Sequence, residues 1–106
     1  MSDQDFRIAA SMPSHGVLVL EVAGELDMAT AQRLRDELDQ WLGITELTVD
    51  LARCTFIDSQ GLHALLDCFR QMGPEATMRV VDAAPNVDHI LRLAGFETLF
   101  GLDPAT

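Results

Sequence analysis

Lysine and tyrosine are missing from this sequence, cysteine occurs twice, histidine three times, and the longest apolar run, Val17 to Leu20, has four residues. Each shortage excludes something. Seven arginines carry all the fixed positive charge against seventeen Asp and Glu, for a net charge of −10. Nucleic acid and anionic membrane are therefore not expected as partners, because both are bound through clustered cations. A membrane-spanning helix needs about 20 apolar residues, so no span is predicted. Met1 to Asp5 lacks the basic start and apolar stretch of a signal peptide, which predicts a cytoplasmic protein. In that compartment Cys54 and Cys68 stay reduced, as small core residues. His15, His63 and His89 are far apart, with no Cys-x-x-Cys or His-x-x-x-His spacing, so no metal site is predicted. Neither a Gly-x-Gly-x-x-Gly turn nor a Gly-Lys-Ser/Thr phosphate loop occurs, and no cofactor is expected.

What is present reads as one globular domain over residues 1–106, with 48% hydrophobic and 23% charged residues. Phe6 and Ile8 alternate with charged neighbours, and Val17 to Val22 is rich in β-branched residues. Pro13-Ser14-His15-Gly16 lies between them and predicts a hairpin. From Asp27 the spacing becomes helical, with Ala31, Leu34, Leu38, Trp41 and Leu42 on one stripe and Gly43 as the stop. Leu47, Val49 and Leu51 alternate as a strand. A second helix follows Ile57, with Leu62, Leu65, Leu66, Phe69 and Met72 inward and Gly73-Pro74 ending it. Met78 to Val81 is a further strand. Pro85 opens a third helix with Val87, Ile90, Leu91 and Ala94 inward and Gly95 as its stop. Leu99 and Phe100 could add an edge strand. Helical crossovers imply parallel neighbours and the opening hairpin an antiparallel pair. The predicted fold is α/β, a mixed four- to five-stranded sheet packed with about three helices.

The strongest local feature is Phe56-Ile57-Asp58-Ser59-Gln60-Gly61-Leu62, where a strand passes through Asp-Ser into a helix. Asp58 or Ser59 can cap the helix by accepting a hydrogen bond from a first-turn amide. The functional alternative is a serine hydroxyl exposed at a helix start, with Gly61 removing a side chain from beside it. Asp27, in Gly24-Glu25-Leu26-Asp27, stands at a comparable strand-to-helix junction. It is either a second cap or, if both junctions share a sheet edge, a second carboxylate near Ser59. Met28 beside it is either a partly buried helix-start residue or an exposed interface anchor. Trp41 reads as core.

These segments together resemble the STAS domain family, specifically the bacterial anti-sigma factor antagonists. The resemblance rests on Gly24-Glu25-Leu26-Asp27 with Thr30 and Leu34, on Val49-Asp50-Leu51, on Phe56 to Leu62 and on Leu93-Ala94-Gly95-Phe96, in the family's order and spacing over roughly residues 17 to 100. It implies a single STAS-like domain that binds a kinase-type anti-sigma factor and so releases a sigma factor. It further implies that Ser59 is phosphorylated by that anti-sigma factor serine kinase, with loss of binding, and that a serine phosphatase acts on the phosphorylated form. Asp27, Met28, Asp58, Ser59, Gln60, Gly61 and His63 are the implied partner-binding residues. The ATP would belong to the kinase. The same family also includes non-switching scaffold subunits of transporters and signalling assemblies, which is the alternative reading.

An enzyme is not expected. Ser59, His63 and Asp67 fall at i, i+4 and i+8 of one helix, whereas a working triad brings its base to the nucleophile from another element. Ile57 occupies the first glycine position of a Gly-x-Ser-x-Gly elbow. His63, Asp67 and Arg70 read either as a solvated helix face or, for His63 and Asp67, as an extension of the partner patch.

Overall fold

The computed structural model describes residues 5–97. Strands β1 (Arg7–Ser14) and β2 (Val17–Leu26) form the opening hairpin, followed by helix α1 (Ala31–Asp39), strand β3 (Glu46–Ile57), helix α2 (Ser59–Gln71), strand β4 (Thr77–Val81) and helix α3 (Pro85–Leu93). The sheet order is β1-β2-β3-β4. The β1–β2 pair is antiparallel, and β2–β3 and β3–β4 are parallel. This is the mixed α/β sheet that alternation and crossover length imply. The additional edge strand at Leu99 and Phe100 lies outside the described residues.

Alternation along the strands decides which face is covered. Leu18, Leu20 and Val22 of β2, Leu47, Val49 and Leu51 of β3, and Met78 and Val80 of β4 form one core with Ala31, Leu34 and Leu38 of α1, Ala64, Leu65 and Cys68 of α2, and Val87 and Leu91 of α3. Strand residues of the opposite parity, such as Val19, Glu21, Thr48, Asp50 and Arg79, are half-buried or exposed. The helices therefore pack on one side, and among the described residues nothing covers the other side of the sheet. Cys54 and Cys68 are buried free thiols. Phe6, just ahead of β1, is also in the core, and the Arg33 guanidinium stands 5.0 Å over its ring.

Two expectations need correction. Helix α1 begins at Ala31 rather than Asp27 and ends at Asp39, so Trp41 and Leu42 lie beyond it. The Trp41 amide still donates to Leu38 O at 3.0 Å and its ring packs against the core, but Leu42 is 91% exposed. Similarly, Ala94 lies past the end of α3 and is exposed, and Phe96 supplies the buried contact instead. The turn at His15-Gly16 requires glycine, because Gly16 has φ +80° and a Cβ there would meet Thr45 Oγ1 at 2.9 Å.

Candidate functional site

The parallel pairing of β2 and β3 creates the site. Leu26 and Ile57 are register partners at the strand ends, so Asp27 and Asp58 both emerge one residue later on one edge of the sheet. Adjacent strands lie about 4.8 Å apart, which makes these junctions immediate neighbours. The Asp58 amide donates to Leu26 O at 3.3 Å, tying one junction to the other.

Asp58 is the N-cap of α2. Its extended backbone (φ −117°, ψ −172°) brings Oδ1 over the first turn, where the amides of Gln60 and Gly61 donate to it at 2.9 and 3.0 Å. Its other oxygen, Oδ2, accepts the Met28 amide at 3.2 Å, across to the β2–α1 loop. One carboxylate thus caps a helix and fixes a loop thirty residues earlier. With Asp58 in that place, Ser59 becomes the first helical residue, exposed to solvent.

The β2–α1 loop is built around Thr30, a polar side chain buried within the core. Its hydroxyl donates to Glu25 O at 2.6 Å and accepts the Asp27 amide at 2.9 Å. Asp27 Oδ1 in turn accepts the Ala29 amide at 3.0 Å, while its carbonyl accepts the Thr30 and Ala31 amides. Asp27 therefore folds the turn that precedes α1 rather than capping the helix itself. Met28, at the tip, is 80% exposed, the anchor-like alternative of its two readings. Sequence reasoning gave Thr30 no structural task, and the only signal was its position three residues after Asp27.

Gly61 is buried, and its missing side chain faces away from the hydroxyl. A Cβ there would stand 2.3 Å from Leu26 O and 2.8 Å from Ile57 Cγ1, so the glycine allows α2 to lie against the end of β2. That corrects the expectation that it opens space beside Ser59. Gln60 and His63 are exposed on α2. Asp67 is drawn to the other helix, where it accepts from Arg35 Nε at 2.8 Å, and Arg70 lies 4.0 Å from its second oxygen. The face carrying His63, Asp67 and Arg70 is thus partly an α1–α2 contact, and Asp67 does not orient His63 as a triad would require. Among the described residues no three His, Cys, Asp or Glu side chains gather as a metal site, and no helix is long and apolar enough to cross a membrane.

The STAS domain family model matches residues 12–106, and the chain belongs to that family. Several of the proteins it resembles are named anti-sigma factor antagonists. The chain is similar to the anti-sigma F factor antagonist of Paenibacillus polymyxa, with 31% identity over 86 residues covering 76% of this chain and 72% of that one. It is 28% identical over 104 residues to the anti-sigma-F factor antagonist RsfB of Mycobacterium tuberculosis, covering 96% and 85% respectively. The crystal structure of an anti-sigma factor antagonist from Mycobacterium paratuberculosis superimposes with a TM-score of 0.83 at 28% identity, covering 94% of this chain and 86% of that one.

Proposed function

We propose that this domain is an anti-sigma factor antagonist that binds a kinase-type anti-sigma factor through the Asp27–Met28 and Asp58–Gln60 edge, releases its sigma factor, and is switched off by phosphorylation of Ser59. A serine phosphatase resets it. The observation that carries the reading is an exposed Ser59 at the start of α2, held beside an exposed Met28 by the Asp58 carboxylate. The similarity to antagonists over most of the chain supports the partner class.

The geometry favours an electrostatic switch. A free helix N-terminus welcomes a phosphate, but here the amides of Gln60 and Gly61 are already engaged by Asp58. Phosphorylation would therefore add about −1.5 to −2 charges beside an existing carboxylate. A dianion about 6 Å from one carboxylate is repelled by roughly 1 kcal/mol in water and about 5 kcal/mol at an effective dielectric of 20. Closing an interface over the edge moves the pair toward the second value. The difference of about 4 kcal/mol corresponds to nearly three decades in affinity.

The test is incubation with the candidate anti-sigma kinase and ATP. A single phosphate mapped to Ser59, no phosphate on Ser59→Ala, and Ser59→Ala binding the kinase persistently while Ser59→Asp binds at least tenfold more weakly are the expected results. Phosphate on another residue, or equal binding by both variants and the native chain, would exclude the mechanism.

A further inference from the structure

The face of the sheet that no helix covers among the described residues carries charges that the switch edge does not use. Arg35, Arg70 and Arg92 pair with carboxylates, and Arg33 donates to Phe6 O and stacks on its ring. Arg7, Arg53 and Arg79 make no ion pair or hydrogen bond among the described residues, in a chain holding seventeen acidic side chains. All three are exposed on the open face.

Register arranges these charges in rows across the strands. Arg7, Ala23 and Arg53 form one row, and Ala9, Glu21, Asp50 and Val81 the next. Between the rows lies a hollow of about 340 Å³ lined by Arg7, Ala9, Glu21, Ala23, Asp50 and Arg53. A simple anion fits poorly, because the row beside the two guanidiniums holds two carboxylates. A surface with the same two rows in reverse order fits well. Rotating a second copy by 180° about an axis between the faces, parallel to the rows and midway between them, sets β3 against β3. Arg53 then faces the partner's Asp50 and Asp50 faces the partner's Arg53. The same operation brings Arg7 diagonally toward the partner's Glu21, one strand spacing of about 4.8 Å away. Such self-matching is what a two-fold interface requires. Alanines at 9 and 23 keep the hollow shallow enough for approach. The molecule's two larger dimensions, 33 and 32 Å, also leave room for the roughly 800 Å² per partner of a standard interface.

We propose that the open sheet face is the contact surface of a homodimer, held by reciprocal Arg53–Asp50 pairs across a two-fold axis. Ser59 follows the end of β3 in the first turn of α2, on the side the helices occupy, and lies outside this contact.

Sedimentation equilibrium of the full chain tests it. The native protein is expected to dimerise reversibly. Arg53→Asp sets like charges opposite each other and so does Asp50→Arg, and each alone should weaken self-association at least tenfold. Mixed in equal amounts, the two variants become complementary and should form a heterodimer within threefold of native affinity. Asp50 also accepts the Ala52 amide at 2.9 Å, so Asp50→Arg is checked by circular dichroism. If it fails to fold, Glu21→Arg mixed with Arg7→Glu replaces the pair. A native chain that stays monomeric at all concentrations, single variants that associate like the native chain, or a mixture that fails to restore association would each overturn the proposal.

Discussion

A methyl group on residue 61 would be pressed against the Leu26 carbonyl at 2.3 Å, a distance no backbone neighbour tolerates. Gly61→Ala must push α2 away from β2, and overpacking of this kind costs about 1–3 kcal/mol. For a domain of this size that lowers the melting temperature by roughly 4–8 °C per kcal/mol, and thermal unfolding followed by circular dichroism measures it. An unchanged melting temperature would show that the helix start yields freely. Local grammar could not reach this result, since a glycine after Asp-Ser-Gln reads equally as an opened surface or a close contact. The same grammar left Asp58 and Ser59 as equal caps. The choice fell to Asp58 because the preceding strand delivers it in extended conformation, with its carboxylate over the amides of Gln60 and Gly61. That choice is what leaves the serine exposed.

At the scale of one element, the β2–α1 loop depends on a buried hydroxyl. Thr30→Val keeps the shape but leaves Glu25 O and the Asp27 amide without their side-chain partner. Losing a buried hydrogen-bond partner costs about 1–3 kcal/mol, whereas Thr30→Ser retains the hydroxyl and should cost less. Urea unfolding of the two variants checks the order, and a Val variant as stable as the Ser variant would remove Thr30 from this task. The helix it precedes also marks how far periodicity reaches. Apolar spacing ran on through Trp41 and Leu42, but spacing records which residues are apolar, not where backbone hydrogen bonding stops. Trp41 still reaches the core from beyond the helix, held by Glu37 accepting its indole N–H at 3.1 Å, while Leu42 does not.

For the molecule as a whole, alkaline stability follows from its two thiols. Burial, the dominant effect at both, raises the Cys54 pKa and pushes that of Cys68 up to about 12, from an ordinary 9.0. The folded chain then keeps protons that the unfolded chain releases, so the full contribution is present below about pH 9 and is lost as pH climbs from about 9 toward about 12. The slope approaches about 1.4 kcal/mol per pH unit for one such group. Urea unfolding at about pH 8, 9.5 and 10.5 should show this decline in the native chain and a shallower one in Cys68→Ala. Parallel slopes would mean that the thiol opens to solvent without unfolding.

The order of strands and helices, the mixed sheet and the inward residues of β3 were legible in the amino-acid sequence, because alternation, helical spacing and turn residues are local consequences of backbone geometry. The Asp-Ser junction was legible for the same reason. The neighbouring position of Asp27 and Asp58, the packing task of Gly61, the burial of Thr30 and the row that brings Arg7 and Arg53 together were decided by strand pairing, which joins residues up to thirty positions apart. No local pattern carries that register, since it is set by which strands lie side by side and by how closely the helices can approach them.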